Sequence, residues 1–362
     1  MKKIFLTSLI LVFIFSDFYY DFGRLFDYLY IVILLFFLIE TKKINSKFYI
    51  GISLIFFLLS PWIIYGFFNG NSLISIAVIT GLFVVFPLSF STFHFFKSEI
   101  IKSILEKTII ILISTMLIQI FSYYIFDYYL DFSSYFGSIK SRGDNNLLLF
   151  RPHGITQEPN AFSVLMLCLV YLYSKFKVVN IKLVLISLVT VVFSLSLWGV
   201  IMAPLFYLIT LRKNISIRSN ILLFFGAMIL INYFINSDLA SSQEIISRLD
   251  FSQQDSSRDA RYGGLTNFIQ SSDFIFGEGI NSNLFQIYGA NGIAFFLNSF
   301  GLIGCLLIII IIIIQKELKN MDIIFLIFIF SSYPIISYMY FWVTLALLIY
   351  LNKIKCVEFL EE

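Results

Sequence analysis

Charged side chains are scarce in this chain: 13% of its 362 residues are Asp, Glu, Lys or Arg, while 59% are hydrophobic. A soluble domain averages about 25% charged and about 45–50% apolar. With a mean hydropathy of +0.91, a water-soluble reading is excluded. Histidine occurs only at His94 and His153, far apart in the sequence, which argues against a histidine-based metal site. The long polar stretches contain no Asp-x-Asp pair, so neither a metal nor another cofactor is expected. The cysteines Cys168, Cys305 and Cys356 fall in apolar runs or in the C-terminal tail, which implies no disulfide framework. There is no zinc spacing and no basic patch interleaved with aromatics, so nucleic acid is not an expected partner. No ionisable residue sits clearly in the middle of an apolar run, Asp27 lying near the end of its own, and this counts against ion-coupled transport. No internal repeat suggests an inverted-repeat transporter.

What fills the chain instead is apolar sequence. The runs are 4–16, 25–39, 48–68, 72–96, 108–126, 160–174, 183–197, 199–211, 220–235, 293–314, 322–333 and 338–351. A straight membrane span needs about 20 residues, so several runs must extend into neighbouring polar residues. The expectation is an all-α integral membrane protein of about twelve (10–12) transmembrane helices, forming one polytopic domain over 1–362. Met1-Lys2-Lys3 followed by Ile4–Phe15 has the shape of a signal peptide, but no small-x-small cleavage site follows, so a retained first span is expected. Pro61 and Pro87 predict kinks within runs. His94, at the end of the fourth run, reads as interfacial.

Basic residues set the expected orientation. Lysines border the stretches 183–211 and 322–351 on both sides, which requires two crossings in each. Trp198-Gly199 is the expected turn in the first stretch, and Ser331-Ser332-Tyr333-Pro334 the expected break in the second. With these hairpins, 18 of the 25 Lys and Arg residues fall in short segments on one side, together with both termini. That side reads as cytoplasmic. The other holds Arg24, Lys140, Arg142, Arg151, Arg248, Arg258 and Arg261, or six of the eight arginines and one of the seventeen lysines. Its two long loops are 127–159 and 236–292. Arginine is the side chain suited to a bidentate grip on phosphate or carboxylate, so the outer face is expected to handle anions.

Two constellations carry candidate chemistry. The first is Arg151-Pro-His-Gly-Ile-Thr-Gln-Glu158-Pro159-Asn160, directly before an apolar run. Pro152 and Gly154 shape a turn, and Pro159 can open the following helix, whose N-terminus is receptive to an anion. Arg151 would hold phosphate, and Glu158 or His153 would serve as general base. The plainer alternative is a capping loop with interfacial charges. The second is Arg258-Asp-Ala-Arg261 on a helix capped by Ser256 or Ser257, followed by Gly277-Glu278-Gly279. Here the plainer alternative is an amphipathic surface helix. A lone Gly-x-Gly is no nucleotide loop, because the rest of the dinucleotide pattern is missing.

These motifs resemble the bacterial O-antigen polymerase (Wzy-type) and O-antigen ligase families of membrane glycosyltransferases. The likeness lies in the Arg-x-x-Gly-x-x-x-Glu-Pro-Asn loop of Arg151, Gly154, Glu158, Pro159 and Asn160. It lies also in the long late loop, where an arginine-led helix from Arg258 runs on to Gly277 and Gly279. The resemblance implies an enzyme at the outer face of the bacterial inner membrane. Such an enzyme joins undecaprenyl-diphosphate-linked oligosaccharide repeat units into O-antigen or a related polysaccharide. It further implies that Arg151, Arg258, Arg261 and Asn160 engage the diphosphates and sugars, that Gly154, Pro159, Gly277 and Gly279 shape the loops, and that a chain-length regulator protein is a partner. The ligase branch carries a histidine shortly after its Gly-x-Gly. The stretch Asn281–Gly292 has none, which favours polymerase over ligase and leaves Glu158 ahead of His153 as the base. A lipid-linked glycan exporter (flippase) is the alternative from another class.

Overall fold

The computed structural model describes residues 2–15, 25–41, 58–66, 68, 78, 80–135, 150, 152–156, 158–194, 196–211, 269, 274–279, 292–314, 318–332 and 338–361. Among the described residues the regular structure is helical and no strand occurs. The helices are α1 (Lys2–Phe15), α2 (Leu25–Thr41), α3 (Phe86–Phe93), α4 (Ser98–Phe126), α5 (Phe132–Tyr135), α6 (Pro159–Tyr173), α7 (Ile181–Phe193), α8 (Leu197–Leu211), α9 (Gly292–Ile314), α10 (Asn320–Ser332) and α11 (Met339–Glu361). One of them, α4, is long and apolar enough to cross a membrane, and eight shorter apolar stretches of 10–17 residues accompany it.

The chain divides into two compact units. The first comprises Met1–Asp17, Phe22–Glu106 and Ser256–Glu362. In it α1 packs on α2, and α3 packs on α2 and α11. Phe5 is the hub, with Phe37 and Phe96 at ring distances of 5.4 and 5.3 Å, and Tyr30 and Phe93 slightly further out. Such aromatic pairs add to the stabilisation from burial itself. A π-helical turn over Gly81–Val85 leads into α3. Pro87 has no N–H to give to the carbonyl four residues back, and the wider turn accommodates that loss. Gly81 also lies directly beneath the Trp342 indole, where any Cβ would overlap the ring. At the start of α10, Asp322 Oδ2 accepts from the Lys319 backbone N–H (2.9 Å) and from Asn352 Nδ2 (2.8 Å), so the buried carboxylate is satisfied by an end of α10 and by α11 together.

The second unit comprises Phe18–Asp21 and Lys107–Asp255. Its centre is α6, which is buried from Ala161 through Tyr173. α7 and α8 supply part of the enclosure. The Ser163 and Ser194 hydroxyls lie 2.9 Å apart, and Gly199 sits against Ser163, where a Cβ would not fit.

Two expectations are corrected. Of the paired helices in 183–211, the first ends at Phe193 and the second begins at Leu197, so Trp198 and Gly199 lie inside α8 and not at the break. Serine chemistry sets it: the Ser196 carbonyl accepts from Val200 (2.8 Å) and its hydroxyl accepts from Gly199 N (3.3 Å), so Ser196 caps α8. Second, the helix of run 108–126 begins ten residues earlier, at Ser98, so Lys102 and Lys107 are helical and not in a connecting segment. Lys102 pairs with Glu106 one turn on, at 3.9 Å. The expected helix led by Arg258 and Arg261 lies outside the described residues apart from Ile269.

Candidate functional site

The first constellation folds as a loop pinned to the end of α4. Gln119, fully buried in that helix, accepts at Oε1 the backbone N–H of His153 (2.7 Å) and of Gly154 (2.9 Å). Its Nε2 donates to the Leu130 carbonyl at 2.8 Å. One amide therefore fixes both strands of chain that leave and re-enter this end of the helix. Gly154 has φ +59°, and a Cβ there would lie 2.9 Å from Thr115 Oγ1 and 3.1 Å from the Met116 backbone nitrogen. Glycine is required on both counts, conformation and close approach.

The motif then closes on itself. The Thr156 N–H and hydroxyl both reach the His153 carbonyl, at 3.2 and 2.8 Å, and the same hydroxyl lies 3.1 Å from the Glu158 carbonyl. Glu158 is the N-cap of α6 in an extended conformation, and Pro159 follows at the first helical position. The Glu158 carbonyl accepts the first helical bond, from Phe162 (3.0 Å), but its carboxylate makes no capping bond to the helix. Glu158 and Asn160 are half-buried, and Asn160 Oδ1 accepts from Ser196 Oγ at 3.3 Å.

His153 is 3% exposed, and both ring nitrogens are engaged. Nδ1 meets the Thr156 carbonyl oxygen, and Nε2 lies 2.8 Å from the Tyr129 hydroxyl. Tyr129 is half-buried and meets Phe150 edge-on, and Phe150 stacks on Tyr123 at 4.0 Å. The structure thus brings together His153, Gly154, Glu158, Pro159 and Asn160. Arg151 lies outside the described residues, between the buried Phe150 and Pro152, and so do Arg258 and Arg261.

Gly277 and Gly279 belong to a different piece of architecture, within the first unit. Both have positive φ, as does Gly301, which breaks α9. A Cβ on Gly277 would lie 2.5 Å from the Gly301 nitrogen, and one on Gly279 would lie 2.6 Å from the Gly66 nitrogen. Two backbone bonds seat the segment on the broken helix, Glu278 N to Asn298 O (2.7 Å) and Ile303 N to Ile275 O (3.1 Å). The Trp62 indole N–H adds a bond to the Phe276 carbonyl. These glycines serve backbone-to-backbone packing.

Sequence reasoning overlooked Gln119, Tyr129 and Thr156. A signal existed for the first: Gln119 is the only amide between Thr108 and Phe126 in an otherwise apolar run. No family model matches the chain, and no curated protein and no solved structure matches it.

Proposed function

We propose that this chain is a multi-pass protein of the bacterial inner membrane that polymerises undecaprenyl-diphosphate-linked repeat units into a surface polysaccharide at the outer face. The observation that carries the reading is the loop 152–160. A buried amide holds it at the end of an apolar helix, so that a histidine, a carboxylate and the N-terminus of α6 lie within a few residues of each other. A helix N-terminus favours an anion, and a lipid diphosphate is an anion presented at a membrane surface. The uncovered apolar face of α4 supports the membrane setting. Leu117, Ile118, Phe121, Ile125 and Phe126 are each more than half exposed there, and an apolar patch of that kind marks a lipid or protein contact.

On this reading about twelve spans, with both termini cytoplasmic, place Arg151, Arg258 and Arg261 outside, where guanidinium groups grip the diphosphates of donor and acceptor. The acceptor sugar hydroxyl attacks the anomeric carbon of the donor, the bond from that carbon to the diphosphate breaks, and undecaprenyl diphosphate leaves. Catalysis rests on positioning and on neutralising the leaving group, with Glu158 or His153 receiving the hydroxyl proton. A chain-length regulator is the expected protein partner. Deleting the gene and running the surface glycan on a gel tests the assignment. A polymerase leaves single repeat units on the final acceptor and removes the ladder above them. Loss of every glycan band, single units included, points to ligation or export and overturns it.

A further inference from the structure

We propose that Tyr129 is the residue of this site that touches the acceptor sugar, and that His153 acts on the substrate through it. The inference rests on the glycosyl-transfer reading above and identifies the route of its proton. His153 is 3% exposed, too deep to touch a glycan directly. Its Nδ1 faces the Thr156 carbonyl oxygen, which can only accept, so Nδ1 carries a proton in either state of the ring. In the neutral imidazole Nε2 is therefore a lone pair, and the Tyr129 hydroxyl at 2.8 Å donates to it. The phenol is the outer member of the pair and the imidazole the inner one.

The pair is not an accident of two loose loops. Gln119 Nε2 bonds the carbonyl of Leu130, next to Tyr129, while Gln119 Oε1 bonds the backbone of His153 itself. The spacing of phenol and imidazole is thus set by one buried amide with three bonds. Phe150 backs the Tyr129 ring at 6.0 Å between centroids.

In the reaction the acceptor hydroxyl oxygen bonds to the donor's anomeric carbon. Its proton passes to the Tyr129 oxygen as the Tyr129 proton passes to His153 Nε2. The bond from the anomeric carbon to the diphosphate breaks, and its electron pair leaves with undecaprenyl diphosphate. The imidazolium, braced at Nδ1 by Thr156, then returns its Nε2 proton through Tyr129 to water.

The test uses the full chain in detergent or nanodiscs, with lipid-linked repeat units isolated from cells lacking this protein. Tyr129→Phe keeps the ring and its packing and removes only the hydroxyl. It is expected to lower kcat by about 100-fold or more, in the range of general-base catalysis, with KM changed by no more than about threefold and the melting temperature lowered by no more than the single lost bond to His153 Nε2 accounts for, so that the variant stays folded at the assay temperature. His153→Gln combined with Tyr129→Phe should be no worse than either alone, since residues acting as one unit are not additive. A Tyr129→Phe variant within threefold of wild-type kcat overturns the relay while leaving the polymerase reading intact. So does a double variant whose loss is the product of the two single losses, since the two residues then act independently. Wild-type protein that forms no polymer from these units overturns the function and the relay together.

Discussion

Gln119 and His153 are joined at the end of α4 by a 2.7 Å bond from the His153 backbone N–H to the Gln119 side-chain carbonyl. A glutamine in an apolar helix is costly to bury unless its amide is used, and here the oxygen takes two donors while the nitrogen gives one bond. Gln119→Leu keeps the volume and strands two backbone N–H groups. Each buried donor left unmade costs about 1–3 kcal/mol. The variant should show a clearly lowered melting temperature in detergent and a lost glycan ladder. Gln119→Glu, which keeps the acceptor oxygens, should fall between Leu and wild type. Equal stability of Leu and wild type would refute the pinning role.

Gly154 presents a second constraint on the same loop. Its positive φ costs an alanine about 1–2 kcal/mol, and the Cβ must also press on the Met116 backbone 3.1 Å away. Gly154→Ala should therefore destabilise the chain and lift His153 off Gln119, and, if the proposed function holds, the glycan ladder should be lost in membranes that still contain the protein. Immunoblotting alongside the glycan gel separates loss of activity from loss of protein.

The regular part of this architecture was readable from apolar runs, because burying a helix demands long apolar stretches. The start of α6 followed from Pro159, whose missing N–H suits a first helical position. The turn before α8 was misplaced because Trp198-Gly199 looked like a break, whereas Ser196 caps the helix and Gly199 is needed for packing against Ser163. Gln119 pairs with a backbone 34 residues on, and no local pattern encodes such a contact. Tyr129 was hidden among neighbouring tyrosines at 123, 124 and 128, and only the placement of His153 singles it out. Gly277 and Gly279 were recognised as loop glycines, but not as the place where the loop meets Gly301 on α9.

That meeting point gives a third prediction. Gly277 and Gly301 each sit where the other's backbone would collide with a Cβ, and both have positive φ. Gly301→Ala and Gly277→Ala should each disrupt the seat of residues 274–279 and lower the melting temperature. The double variant should be less damaging than the sum of the two, because the first substitution already opens the contact that the second would spoil. Strict additivity would mean that the two glycines do not act on one contact.

The arginine assignment and the topology share one test. If 127–159 and 236–292 face outward, single cysteines placed in them, as in Ser141→Cys and Ser241→Cys, should react with a membrane-impermeant maleimide on intact spheroplasts. Cys356 should react only after permeabilisation. Cys168 is buried and Cys305 half-buried, so the native background should be low. In the same cells Arg151→Ala and Arg258→Ala should each remove the long glycan and keep the single repeat unit. Arg151→Lys should fail as well, because an ammonium retains the charge but lacks the planar fork that grips two diphosphate oxygens at once. A lysine variant that restores the full ladder would show that charge alone suffices at this position. Labelling of both loops only after permeabilisation would put the arginines on the lysine side and remove the basis for diphosphate binding at the outer face.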